Sequence, residues 1–309
     1  MELRQLQYFL KVAKKQHVTR AAEELHVAQS AVSRQIRQLE EELGVKLFVQ
    51  KGRNVQLSPV GKLFLRHVEQ ILNDLERAVQ DVREFMDPEA GEIRLGFPHS
   101  LGVNLVPRIV SQFHKDDHPK VMFRFKQGKF NVLIDAVLKG EIDLALISPH
   151  IEHEQLRGQL LFTEELLAII PPDHPLAENE SIRLEQLKDE SFVLFSEGYS
   201  LRNIVWDACL KAGFIPKIGF EGEETDTIRG LVGAGMGVSL LPEMALKDMQ
   251  ELRPAKVKIT DPKVTRTVGL IYRADGRMPL VAEIFRRFLL DYFDRAEKAK
   301  EAEEDGIER

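Results

Sequence analysis

Cysteine is nearly absent from this 309-residue chain: Cys209 stands alone, so an intramolecular disulfide is excluded and no second thiol is at hand for a metal or redox pair. Cys209 itself reads as a small buried helix residue. The nine histidines are scattered without ligand spacing, which argues against a metal centre. No apolar run approaches the length of a membrane span, and the N-terminus lacks the apolar stretch and small-residue cleavage site of a signal peptide. A cytoplasmic protein without membrane contact is expected. Catalytic groups are missing too, since no Ser, His and acid set accompanies a nucleophile elbow. The glycine-rich run 230–237, GLVGAGMG, lacks the Lys-Ser/Thr ending of a P-loop and does not open a helix after a strand. It reads as a tight helix end turning into a strand over 238–241. No enzyme activity, cofactor or metal is expected.

What is present begins at Val18, where the chain reads VTRAAEELHVAQSAVSRQIRQLE. Val18, Ala21, Ala22 and Leu25 are spaced for one buried helical face, and the paired alanines let a second helix pack close. After a four-residue turn, Val32, Ile36 and Leu39 repeat at i, i+4 and i+7 and face the same small core. Ser30, Arg34 and Arg37 therefore point outward, with Gln29 at the helix start and Ser33 on its flank. Arg34 can fork onto a guanine's major-groove acceptors, Gln29 can pair bidentately with adenine, and the serines suit bases or phosphate oxygens. Each side chain alone is an ordinary solvated residue. The combination predicts a helix-turn-helix that reads double-stranded DNA.

Residues 47–49 and 55–57 then read as two short strands around the turn Gln50-Lys51-Gly52-Arg53-Asn54. Such a wing carries Lys51 and Arg53 at its tip, within reach of phosphates or a minor groove; the other reading is a solvated turn with two charges. The net charge of -6 divides unevenly along the chain. Residues 1–60 hold ten basic and six acidic side chains, whereas 91–309 hold 29 basic and 36 acidic. Phosphate contact is thus expected on the N-terminal part alone, and to weaken with salt.

Ser58-Pro59 opens a long helix, the serine able to cap free amides and the proline preset for the first helical position. It is expected to run to about Met86 and stop at Asp87-Pro88. Phe64, Ile71, Ala78 and Phe85 recur every seven residues, interleaved with Val68, Leu75 and Val82. That is a coiled-coil seam wanting a partner helix; the alternative is an amphipathic helix packed on its own domain. A two-fold dimer would present paired recognition helices to a dyad operator.

Beyond Gly91, apolar strands (93–97, 121–125, 144–148, 165–170, 191–195 and 268–272) alternate with helices (105–114, 132–138, 201–212 and 227–234). The alternation predicts parallel sheets with crossover helices, an α/β class, in two lobes around a cleft. The charged tail 297–309 reads as a solvated helix end or a disordered extension.

The stretches LRQLQYFLKVA, AQSAVSRQIRQLEEELGVKLF and LSPVGK resemble the winged helix-turn-helix of LysR-type transcriptional regulators, and the similarity continues through DLALIS, PPDHPLA and GLVGAGMGVSLLPE. Within the family the chain is most similar to the GltC-like regulators of glutamate synthesis. The resemblance implies a DNA-binding domain over 1–58, a subunit-pairing linker helix over 59–90, and an effector domain over 91–309 similar to periplasmic binding proteins. In that domain lobe I covers about 91–161 and 267–295, with lobe II over 162–266 between. It implies self-association as a homodimer or homotetramer through Phe64, Val68, Ile71, Leu75 and Val82. It also places an inducer pocket where strands feed helices, with His99, Ser100, Gln127, Ser148, Phe195, Ser196 and Arg202 as candidates. A hydroxyl at a helix start, as at Ser100, suits a carboxylate, and reads equally as a plain helix cap. For a GltC-like protein the resemblance implies 2-oxoglutarate or glutamate as candidate effectors. Binding that favours one relation of the lobes would alter DNA bending or contact with RNA polymerase, as activator or repressor. Two alternatives remain open at this level: a small-molecule binding protein whose N-terminal helices contact other proteins, and an enzyme fused to a DNA-binding domain.

Overall fold

The structure, a computed structural model, describes residues 1–52, 54–86, 91–246, 253–275 and 278–307. The chain divides into two compact units, Met1–Val82 and Arg83–Arg309. Among the described residues no helix is long and apolar enough to cross a membrane.

The first unit opens with α1 (Leu3–Lys15), α2 (Val18–Glu24) and α3 (Gln29–Leu43), the last two separated by the four residues 25–28. Ala21, Val32 and Leu39 are fully buried against Phe9 of α1, and Val18 and Leu25 pack at the rim. The paired alanines let α2 and α3 approach closely, as their small side chains require. Strands β1 (Phe48–Lys51) and β2 (Asn54–Leu57) form the wing. It is tighter than the expected five-residue turn: Lys51 pairs with Asn54 in the ladder, and Gly52 adopts φ +62°. Lys51 thus belongs to a strand, because a two-residue loop with positive φ matches the twist of the flanking strands. Arg53 lies outside the described residues. Leu47, expected in the first strand, instead sits fully buried before it.

Helix α4 (Pro59–Met86) begins where expected. The Ser58 hydroxyl accepts from the Gly61 amide at 2.9 Å and donates to the Lys46 carbonyl at 2.7 Å. A Cβ at Gly61 would lie 2.0 Å from the Leu47 carbonyl oxygen, so the close approach of helix and wing demands glycine there. The expected stop at Asp87-Pro88 and the Phe85 side chain fall outside the described residues.

The second unit starts with β3 (Glu92–Phe97), the single turn α5 (His99–Gly102), α6 (Leu105–Lys115), β4 (Met122–Gln127), α7 (Phe130–Leu138) and β5 (Leu144–Ile147). β3 pairs in parallel with both β4 and β5. Between β3 and β5 the buried Arg94 and Asp143 form a bidentate pair, with guanidinium to carboxylate distances of 2.7 and 3.2 Å. The 15-residue β6 (Leu156–Ile170) carries the chain into the second lobe, which holds β7 (Ser181–Arg183), β8 (Ser191–Phe195), α8 (Ser200–Lys211), β9 (Lys217–Gly222), α9 (Thr225–Gly233), β10 (Ser239–Pro242) and β11 (Ala255–Asp261). β12 (Thr265–Arg273) returns to the first lobe and α10 (Leu280–Ile307) covers it.

The expected parallel pairing with crossover helices is present, joined by antiparallel pairs that the alternation did not predict. β12 runs antiparallel to both β5 and β6, and β10 and β11 run antiparallel to β6. The physical cause is the double crossing: an outgoing strand and a returning one, laid side by side, must oppose each other. Parallel pairing survives where helices cross over, at β3 with β4 and β8 with β9. In the glycine-rich run α9 ends and turns into β10; a Cβ at Gly237 (φ +137°) would meet the Ser191 carbonyl oxygen at 2.2 Å. Each lobe has its own apolar core, centred on Phe113, Leu146 and Phe285 in the first and on Phe192, Leu240 and Val205 in the second.

Candidate functional site

The outer face of α3 carries Gln29, Ser30, Arg34 and Arg37, all exposed, with Ser33 half-buried beside them. Gln29 Nε2 donates to Ser33 Oγ at 3.0 Å, which aligns the amide along the helix face. Ala28, the residue preceding α3, supplies no side-chain cap, so no cap side chain competes with an anion for the amides of Gln29 and Ser30. The wing is held by a residue the sequence reading did not single out. The buried Glu40 carboxylate accepts from the amides of Leu47 at 2.9 Å and Phe48 at 3.2 Å, and pairs with Lys46 Nζ at 2.7 Å. Lys51 is exposed on β1.

On α4 the expected seam divides. Phe64 lies 5.2 Å, ring to ring, from Phe9, and Val68 is fully buried in the same core. Val68 is therefore corrected from a free seam residue to a core residue of its own subunit, because the first turns of α4 close the open side of the helix-turn-helix. Farther along, Ile71, Leu75 and Val82 on the same face are 44%, 41% and 66% exposed.

In the second unit a narrow cleft opens between the lobes. Pro98, Gly128, Lys129 and Ser148 line it from the first lobe, and Tyr199 and Ser200 from the second. The Ser148 hydroxyl is buried with no hydrogen-bond partner among the described residues. Lys129 places its ammonium 4.5 Å from the centre of the Tyr199 ring. Burial, and then the neighbouring Glu223 carboxylate, hold the Tyr199 hydroxyl protonated beyond its usual range.

The other expected pocket residues are distributed around this cleft. His99 and Ser100 sit half-buried on α5, one and two residues past Pro98, and the exposed Gln127 lays its amide against Gly102. Ser100 is no cap, since Pro98 holds that position; its Oγ accepts from Arg266 Nη1 at 2.8 Å. Phe195 is buried in the second-lobe core. Ser196 donates to the Gly222 carbonyl at 3.2 Å, and Arg202 donates to the Phe195 carbonyl at 3.1 Å and pairs with Glu221. Phe195, Ser196 and Arg202 thus join β8, β9 and α8: the Gly222 and Phe195 carbonyls and Glu221 engage the Ser196 and Arg202 side chains.

Behind Ser100 lies a buried ion pair. Arg266 on β12 and Glu164 on β6 face each other across the crossing strands. Nε donates to Glu164 Oε1 at 2.7 Å, while Oε2 accepts from the Met244 amide at 3.2 Å. Burial pulls the Arg266 guanidinium below its ordinary value, and Glu164 opposes that shift. In the second-lobe core, burial pushes the Cys209 thiol up to about 12, which leaves it without nucleophilic character.

Comparison with known proteins agrees with both units. Residues 3–62 match the bacterial regulatory helix-turn-helix protein, lysR family, and residues 87–294 match the LysR substrate binding domain. The chain is 44% identical over 299 residues to the transcriptional dual regulator GltC of Bacillus subtilis, covering 96% of this chain and 99% of the relative. Full-length OxyR from Pseudomonas aeruginosa shares the fold with a TM-score of 0.70 at 29% identity over 94% of both chains. The effector binding domain of QuiR, in complex with shikimate, gives a TM-score of 0.60 at 28% identity over 67% of this chain and 98% of that one. With a DNA-binding helix-turn-helix at one end and a two-lobed effector-binding domain at the other, the chain belongs to the LysR family of bacterial transcriptional regulators.

Proposed function

We propose that this regulator self-associates through the bare face of α4, binds a dyad operator through α3, and responds to a small anionic metabolite held between the lobes. The observation that carries the reading is the cleft itself, where Lys129 and a buried Ser148 hydroxyl with no partner among the described residues line one narrow space. Those groups suit an acceptor-rich anion, and 2-oxoglutarate and glutamate fit that chemistry. QuiR's complex with shikimate, a carboxylate, supports an anionic ligand in a similar domain.

On DNA, Gln29, Ser30, Ser33, Arg34 and Arg37 face the groove while Lys51 and Arg53 reach the backbone. Ile71, Leu75 and Val82 pair the subunits into a homodimer, which a second contact extends to a homotetramer. The test is capture of genomic DNA by the purified chain with and without 2-oxoglutarate or glutamate, followed by salt titration on the strongest site. Enrichment of a two-fold related sequence, a steep salt dependence and a metabolite-dependent footprint are expected. Binding without two-fold symmetry, or a footprint blind to every anionic metabolite, overturns the corresponding part.

A further inference from the structure

Lys129 is the residue immediately before α7 in the first lobe, yet its ammonium is engaged by the second. It lies 4.5 Å from the centre of the Tyr199 ring, donates to the Glu197 carbonyl at 3.4 Å, and sits 3.7 Å from the Glu223 carboxylate. Its stem runs past Gly198, where a Cβ would stand 3.7 Å from Lys129 Cδ. The Lys129 and Glu223 side chains are 39% and 63% exposed, so their attraction is screened and readily exchanged for another. Lys129 also lines the cleft that holds the Ser148 hydroxyl, which has no hydrogen-bond partner among the described residues.

We propose that Lys129 is a shared cation, held by Glu223 when the cleft is empty and taken over by the effector's carboxylate on binding. Glu223 is then an internal competitor that sets the affinity for the effector and keeps the lobes linked in its absence. The proposal rests on the reading of the cleft as an anion site. A lysine that merely latched the lobes would behave differently from a shared one. Removing either partner of a simple latch breaks the same contact and moves effector affinity in the same direction. For a shared cation the two removals act with opposite signs.

Calorimetric titration of the full-length protein with 2-oxoglutarate and with glutamate distinguishes the two. Lys129→Met is expected to weaken binding about tenfold, the loss of one charge-assisted contact. Glu223→Gln is expected to strengthen it about threefold, as a screened surface partner is withdrawn. Glu223 is exposed and Lys129 half-buried, and an unchanged circular dichroism spectrum confirms folding of each variant. If the wild type binds and the two variants shift together, or Lys129→Met leaves the affinity unchanged, the shared-cation proposal is wrong while the anion site stands. If the wild type takes up neither compound nor any other small carboxylate, the anion site falls, and this proposal with it.

Discussion

Removing one member of the Arg266 and Glu164 pair should be far more damaging than removing both. The side chains are 0% and 7% exposed, so neither charge has water to fall back on. Among the described residues, Glu164→Met leaves the buried guanidinium with only the Ser100 hydroxyl at 2.8 Å as acceptor, and Arg266→Met leaves the carboxylate with only the Met244 amide at 3.2 Å. An uncompensated buried charge costs roughly 3–5 kcal/mol, whereas exchange of a whole buried pair for apolar groups of similar volume is often neutral or stabilising. Each single variant should therefore lose about 4 kcal/mol, and the double variant less than either, giving a coupling of at least about 4 kcal/mol in a double-mutant cycle. Urea denaturation of the full-length protein, followed by tryptophan fluorescence of Trp206, reads the effector-domain transition. Single variants within about 1 kcal/mol of wild type, or a double variant as unstable as the sum of the singles, would refute the argument. Because Arg266 occupies the acceptor side of Ser100, its loss should also free that hydroxyl to rotate, and effector affinity in Arg266→Met should fall even at temperatures where the domain is folded.

Other expectations follow from the remaining contacts. Arg34→Ala should lose about 1–3 kcal/mol of discrimination between operator and random DNA, whereas Lys51→Ala should weaken both alike and flatten the salt dependence, as gel-shift titrations can show. Glu40→Ala strands the amides of Leu47 and Phe48, costs about 2–4 kcal/mol, and should abolish hydrogen-exchange protection at the base of the wing; wild-type protection there would contradict the assignment. Leu75→Glu should dissociate the oligomer in sedimentation, while Val68→Ala should lower stability of the winged unit without changing the association state, since Val68 is buried within its own chain. The Glu283 carboxyl is held below its usual 4.5 by hydrogen bonds from Arg286 and then Arg287. Its folded-state pKa is the lower one, so its stabilisation is full above about 4.5 and disappears as pH falls through the lowered value. Glu283→Gln should shallow the acid limb of a stability curve, and an unaltered limb would count against the contact.

Much of this protein was legible in the chain because its governing interactions are local. The helix-turn-helix follows from apolar spacing within about two dozen residues, and the long helix from the Ser58-Pro59 start and the seven-residue repeat. Such patterns act between neighbours in sequence, and the structure places α2, α3 and α4 at almost the expected bounds. The turns that border the cleft were legible too, because a strand running into a helix leaves a recognisable signature near Pro98 and Phe195.

What tertiary structure alone decided is which side chain at each turn faces the cleft, and which strands oppose. Ser196 and Arg202 have the right chemistry for an anion, yet carbonyls of Phe195 and Gly222, brought in by the pairing of β8 with β9, claim them. Lys129 and Tyr199 lie 70 residues apart and meet only because the lobes face each other. Arg266 and Glu164 are separated by 102 residues and become partners through the antiparallel register of the two crossing strands. Val68 has the spacing of a seam residue, but its own helix-turn-helix buries it before any partner can. Periodicity states which face of an element is apolar; only the packed chain determines what covers that face, because burial is a property of neighbours that sequence distance does not encode.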